Sequence, residues 1–173
     1  MLTVSELNQR ILRLPNYPKP GIIFQDITPL LSDPSAFNSL IEHMSIPFHD
    51  LEVSHVVGIE ARGFLLAGAI AQRLAAGLVP ARKAGKLPRE TYYAEYQLEY
   101  GSAAIEIHQD AMPKNSRVLI VDDVLATGGT IGALVTVLSK IPVDLVGITV
   151  ISEITELNGR LGLPAIRINS LIT

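Results

Sequence analysis

The segment Val118-Leu119-Ile120-Val121-Asp122-Asp123-Val124-Leu125-Ala126-Thr127-Gly128-Gly129-Thr130 holds most of the chemistry that can be read from this chain. An apolar strand ends in two adjacent carboxylates, passes into a loop of small residues and opens a helix. Ligands of open α/β sheets sit beyond the carboxyl ends of the strands, where this loop falls. Thr127-Gly128-Gly129-Thr130 can turn its amides inward because glycine accepts positive φ. The new helix aims the positive end of its dipole at the same point, and two threonine hydroxyls add donors. These parts together make a phosphate cradle. Two carboxylates beside a bare phosphate would repel it, so they imply hydroxyls, a metal ion or developing positive charge next to the phosphate. A ribose 5-phosphate whose anomeric carbon turns cationic supplies the first and the last, and fixed carboxylates favour an oxocarbenium-like transition state.

Other readings of the same parts are weaker. A Gly-Gly pair after a strand is usually a tight turn, and an Asp pair is usually solvated or caps a helix. Receiver domains want their acids after an early strand and a lysine further on, which is absent here. A Walker loop would need Gly-Lys-Ser/Thr, which does not follow. The thirteen-residue string is more specific than any of its pieces.

The elements that must position this loop follow from apolar patterning. His55–Ile59, Arg117–Val121 and Leu145–Ile151 are rich in β-branched residues with apolar residues at successive positions, as in strands covered on both faces. Helical patterns, Gly63 to Ala76 and Gly129 to Lys140, follow the first two, and Ala165–Ile168 suggests a last short strand. The fold class is therefore α/β, an open and mostly parallel sheet flanked by helices. Thr3-Val4-Ser5-Glu6 reads as a capping box opening a short helix with Leu7, Ile11 and Leu14 on one side. Residues 14–33 hold Pro15, Pro18, Pro20, Gly21 and Pro29, too many breakers for a regular element, after which Asp33-Pro34 starts a helix through Ile41. Residues 83–107 read as a hairpin of two strands around Gly101, with a mobile connection leading into it.

With 173 residues, 48% hydrophobic and 18% charged, the chain is expected to be one domain spanning residues 1–173. A net charge of −3 gives no bulk reason to bind nucleic acid, so any anion site must be a local cluster of cations. The absence of cysteine removes disulfides, thiolate zinc sites and cysteine nucleophiles, and fits a reducing cytosol. His43, His49, His55 and His108 show no metal-ligand spacing. No apolar run approaches the roughly 20 residues that cross a bilayer, and Met1 to Arg13 lacks a signal-peptide layout. A cytoplasmic location with no membrane partner is expected.

Val121-Asp122-Asp123 through Thr130 resembles the phosphoribosyl diphosphate signature of the type I phosphoribosyltransferases. Further matches narrow this resemblance to the adenine phosphoribosyltransferase branch. They are Tyr17-Pro18-Lys19-Pro20-Gly21-Ile22 with Phe24, Asp26-Ile27 and Pro29-Leu30-Leu31; Gly58-Ile59-Glu60-Ala61-Arg62-Gly63-Phe64; Arg82-Lys83-Ala84-Gly85-Lys86-Leu87-Pro88; and Leu98-Glu99-Tyr100-Gly101 followed by Glu106-Ile107-His108 and Asp110-Ala111. The similarity runs in order from about Leu14 to Gly159.

The resemblance implies an enzyme of purine salvage that moves the phosphoribosyl group from phosphoribosyl diphosphate to adenine, giving AMP and diphosphate. It implies that Ala126, Thr127, Gly128, Gly129 and Thr130 hold the 5-phosphate, while Asp122 and Asp123 accept from the ribose hydroxyls. Arg62, Arg82, Lys83 and Lys86 would gather around the diphosphate, although a solvated loop is the commoner fate of a cluster such as Arg82, Lys83 and Lys86. Magnesium would come bound to the diphosphate rather than in a protein cage. Ile23 and Ile154 would sandwich the base, with Phe24 nearby and backbone groups around Ile23 and Gln25 reading its amino edge. These apolar residues could equally be core, and some relatives carry Arg in place of Gln25. Glu99 would assist proton loss from adenine, directly or through water. Glu95 and Glu106 would be solvent-facing spacers. Pro88 to Tyr100 would form a lid, in which Tyr92, Tyr93 and Tyr100 could close over the ligand or pack the hairpin. A homodimer with helices near Arg62 close to its interface is implied as well. A nucleic-acid-binding regulator on the same fold would need a basic face or an added module, and enzymes for other bases lack the Leu98 to Gly101 context.

Overall fold

The structure, a computed structural model, describes residues 1–97 and 102–173. It opens on α1 (Val4–Asn8), where the Thr3 hydroxyl accepts from the Glu6 amide at 3.2 Å and the Glu6 carboxylate accepts the Thr3 amide at 2.8 Å. The helix is shorter than the spacing of Leu7, Ile11 and Leu14 suggests. Leu7 and Ile11 are buried, but Leu14 is exposed and lies in β1 (Leu12–Pro15). That strand pairs antiparallel with β2 (Ile23–Asp26) in a sheet of its own. The proline-rich stretch thus holds regular structure, contrary to expectation. Pro18 and Pro20 fall in the turn between the strands, where a missing N–H costs no ladder bond.

The short α2 (Thr28–Ser32) leads to α3 (Pro34–Ser45), capped by the Asp33 carboxylate, which accepts the Ser35 and Ala36 amides at 2.8 and 3.1 Å. The central fold follows in order: β3 (His55–Ile59), α4 (Arg62–Arg73), β4 (Gly77–Lys83), β5 (Thr91–Gln97), β6 (Ser102–His108), β7 (Arg117–Leu125), α5 (Gly129–Leu138), β8 (Asp144–Glu153) and β9 (Arg167–Ile172). These strands form one sheet in the order β5-β6-β4-β3-β7-β8-β9. The run from β4 to β9 is parallel, and β6 and β5 extend it antiparallel at the β4 edge. The mixed sheet flanked by helices is the expected class. Strand β4 escaped the sequence reading because Pro80 interrupts its apolar run. Strand β9 lies further on than Ala165–Ile168.

Two apolar clusters cover the two faces. One gathers Leu40, Met44, Phe48 and Leu66 from the α3 and α4 side, and the other Ile107, Leu134 and Val137 from the α5 side. Strand β7 feeds both, with Leu119 and Val121 in the first and Val118 and Ile120 in the second. This period-two division is why its sequence reads as unbroken apolar. Among the described residues, no helix is long and apolar enough to cross a membrane.

Candidate active site

Strands β4, β3 and β7 are parallel neighbours, so their carboxyl ends deliver Lys83, Glu60 to Arg62, and the Asp122-Asp123 pair to one edge of the sheet. The aspartates do not lie beyond the strand. β7 continues to Leu125 because Asp122 and Val124 still pair with Val150 and Ser152 of β8. The loop that follows turns through Gly128, whose φ of 80° places it in the left-handed region just before α5. A β-carbon on Gly128 would stand 2.2 Å from the Gly159 carbonyl oxygen, and one on Gly159 would stand 2.2 Å from the Ala126 carbonyl oxygen. Neither position has room for a side chain. The loop lines a cavity of about 150 Å³ from Ala126 to Thr130, with Asp122 at its margin.

A larger cavity of about 410 Å³ shares Asp122 and Thr130 with the first and adds Arg62, Lys83, Tyr96 and Asp123. The Asp123 amide donates to Asp122 Oδ1 at 2.9 Å. Gly63 brings the start of α4 close enough that a β-carbon there would meet Asp122 Oδ1 at 3.0 Å. Burial, then the neighbouring Asp123 charge, push the Asp122 carboxyl well above the usual carboxylate range. A ligand bringing hydroxyl donors or positive charge would favour its ionised form.

Arg62 ties three elements together. One guanidinium nitrogen forms an ion pair with Asp123, another donates to the Gln25 carbonyl at 2.8 Å, and the group lies over the Phe24 ring at 4.8 Å from its centroid. Phe24 also meets Tyr17 edge-to-face at 5.1 Å. The β1–β2 ribbon is thereby held against the carboxylate pair. The Gln25 carbonyl is engaged by Arg62, and the buried Gln25 Oε1 has no hydrogen-bond partner among the described residues. Ile23 is exposed on β2, while Ile154 follows β8 and donates its amide to Leu125 at 2.9 Å.

Glu60 organises the cationic strand and the loop after it, a role the sequence reading missed. Its carboxylate accepts from Arg82 at 3.2 Å, Lys86 Nζ at 2.9 Å and the Lys83 amide at 3.1 Å. Burial alone would raise this carboxyl, but the hydrogen bonds from Lys86, Arg82 and the Lys83 amide overcome it and hold the group at about 2. Arg82 and Lys86 are therefore held by a protein carboxylate, and Lys83 lines the cavity.

Glu106 differs from expectation. It is buried, accepting the Lys86 and Leu87 amides at 3.0 Å each and the Thr91 hydroxyl at 3.1 Å, while Glu95 is exposed as a spacer should be. Its side chain turns inward from β6 because the loop over residues 86–91 needs an acceptor there. Tyr92 packs on the core, and Tyr93 is exposed with its carbonyl accepting Lys140 Nζ at 2.6 Å. Among the described residues, Tyr96 is the hairpin tyrosine that faces the cavity, and its ring lies 3.6 Å from where a β-carbon on Gly129 would stand. Its signal in the sequence was the alternation of the Tyr92–Tyr96 strand, on which Tyr92, Ala94 and Tyr96 share a face. Glu99 and Tyr100 lie outside the described residues.

A family model, the phosphoribosyl transferase domain, matches residues 35–156. An adenine phosphoribosyltransferase of Thermobifida fusca is 50% identical over 171 residues, 98% of this chain and 97% of that protein. The crystal structure of an adenine phosphoribosyltransferase from Rhodothermus marinus superposes with a TM-score of 0.93 at 45% identity, covering 98% of this chain and 97% of that one. One from Saccharomyces cerevisiae, in complex with an imino-altritol bisphosphate and adenine, gives a TM-score of 0.93 at 36% identity, covering 97% of each chain.

Proposed function

The chain belongs to the adenine phosphoribosyltransferases, within the type I phosphoribosyltransferase family, and on that premise we propose how its residues divide the work. The enzyme transfers the 5-phosphoribosyl group from phosphoribosyl diphosphate to adenine, giving AMP and diphosphate, a pentosyl transfer of purine salvage. The observation that carries the assignment of roles is the shared rim of two cavities, one bounded by Ala126 to Thr130 and the other by Lys83, Arg62 and the aspartates.

In this reading the amides and hydroxyls of Ala126, Thr127, Gly128, Gly129 and Thr130 hold the 5-phosphate at the start of α5. Asp122 and Asp123 accept from the ribose hydroxyls and steady positive charge at the anomeric carbon as the bond to diphosphate breaks. Lys83 meets the leaving diphosphate, and Glu60 keeps Arg82 and Lys86 within reach of it. Arg62 acts chiefly by fixing Asp123 and the β1–β2 ribbon, and its charge adds to the field on the diphosphate. Hard carboxylate oxygens beside a diphosphate suit magnesium, which would sit mainly on donor oxygens with Asp122 and Asp123 within reach. When bound, the metal neutralises the leaving group.

Adenine lies between Ile23 and Ile154 near Phe24, its amino edge read by backbone groups of the β2 segment, residues 14–33 forming the base-recognition region. Glu99 takes up the adenine ring proton, and the hairpin within residues 83–107 closes as a lid that excludes water. The whole of residues 1–173 acts as one catalytic domain, in the cytoplasm and as a homodimer. Purified chain incubated with donor, magnesium and each of adenine, guanine, hypoxanthine and orotate tests the base. AMP formation from adenine is expected, and turnover of another base without adenine would refute it. Crystals soaked with AMP should hold its phosphate at Ala126 to Thr130, and a phosphate bound elsewhere would overturn the division of roles.

A further inference from the structure

The segment after β8 touches the phosphate loop from behind through Gly159, at the van der Waals limits that leave no room for a β-carbon on either Gly128 or Gly159. The adjacent Arg160 is the fastener of that segment. Its Nε donates to Glu153 Oε1 and Oε2 at 2.7 and 2.9 Å, and its Nη2 donates to Glu153 Oε2 at 2.6 Å. The same Nη2 reaches Ser170 Oγ at 2.9 Å, and Nη1 reaches the Ile168 carbonyl at 3.3 Å. Ser170 in turn donates to Glu153 Oε2 at 2.9 Å. The Glu153 side chain is 7% exposed and that of Arg160 44%, so a forked guanidinium that keeps one side to solvent closes over an enclosed carboxylate. Three elements meet on one guanidinium: the end of β8, the strand β9, and the turn Gly159–Gly162.

We propose that Arg160 is a positioning residue for the transfer reaction, clamping Glu153 and Ser170 so that the Gly159 backbone presses the phosphate loop into its binding shape. The proposal rests on the assignment of Ala126 to Thr130 to the 5-phosphate. The segment is pinned at both ends. Glu153 pairs with Leu125 in the sheet and the Ile154 amide donates to the Leu125 carbonyl at 2.9 Å, while at the far end Arg160 returns to Glu153. With the clamp released, Gly159 can withdraw, and Ala126 to Gly128 lose the wall behind them. The amides are then no longer pre-organised for phosphate.

The test compares Arg160→Ala, Arg160→Lys and the double variant Glu153→Leu/Arg160→Leu with the unsubstituted chain. Arg160→Ala leaves a buried carboxylate unpaired and threatens the fold, whereas the double variant removes both charges. Ribose 5-phosphate binding is measured by calorimetry without adenine, alongside steady-state kinetics and the thermal midpoint. The folded double variant should bind ribose 5-phosphate about tenfold or more weakly, with a matching rise in KM for phosphoribosyl diphosphate and kcat little changed. Arg160→Lys, which keeps the charge but not the fork, should fall between. A folded double variant that binds ribose 5-phosphate as the unsubstituted chain does would overturn the proposal. So would a double variant that does not fold, since the pair would then be holding the domain rather than the loop. Failure of the unsubstituted chain itself to bind ribose 5-phosphate would instead overturn the loop assignment, and the clamp with it.

Discussion

Lys86 and Glu60 lie 2.9 Å apart, and through that contact the loop after β4 is fastened to the turn between β3 and α4. The folded-state carboxyl of Glu60 sits at about 2, below its ordinary 4.5. A depressed carboxylate contributes stability that is complete above the ordinary value and lost as pH falls toward the folded one. Glu60→Gln should therefore destabilise the chain by about 1–2 kcal/mol at neutral pH, discounted for the half-exposed lysine. The gap to the unsubstituted protein should close between roughly pH 4.5 and 2, as followed by thermal melts.

Asp122 has the opposite sign. Its carboxyl is raised by burial and by Asp123, so its stabilising contribution is full below the ordinary carboxylate range and lost as pH rises through the folded value. Asp122→Asn should raise the thermal midpoint at neutral pH, and the gain should vanish in acid. Activity should fall by about 10²-fold or more, since the sugar cation loses a fixed negative partner. A variant both less stable and fully active would contradict this.

Gly128→Ala introduces a side chain at a φ of 80° and within 2.2 Å of the Gly159 carbonyl oxygen. The left-handed conformation alone costs about 1–2 kcal/mol, and the clash must move one backbone or the other. KM for phosphoribosyl diphosphate should rise by about tenfold or more, with KM for adenine much less affected. Parallel titrations of the two substrates check the split.

Glu99→Gln should lower kcat by about 10²–10⁴-fold while leaving the affinity for phosphoribosyl diphosphate near its original value. The acid limb of the pH–kcat profile should flatten as well. Loss of donor binding instead would assign Glu99 to the lid rather than to the proton.

Much of this arrangement was legible in the residues themselves. The parallel strands β3 and β7 announced their buried positions by unbroken apolar runs, and Gly128-Gly129 between strand and helix announced the left-handed turn that opens α5. The failures share a cause, which is that local pattern is blind to partners. Strand β4 was hidden by Pro80, although β3 pairs with it all the same. Strand β1 was hidden among prolines that occupy a turn. Glu60 and Glu106 look like surface carboxylates in one dimension, and only the folded chain brings cations and amides to them. Glu106 in particular reads as a spacer because nothing near it in sequence announces the loop it supports from 19 and 20 residues away.

The hairpin joins the parallel sheet where Arg82 pairs with Glu106 and Lys83 with Ile105, extended by the Ala84 amide to the Ala104 carbonyl at 3.0 Å. The seam and the cationic strand are thus the same few residues. Under the roles proposed above for the hairpin and for Lys83, a swing of the hairpin would tug on the backbone bearing Lys83, so that opening the doorway and loosening the grip on the departing diphosphate would be a single mechanical act. An enzyme working in that way would have little means of letting one product slip out behind a closed door.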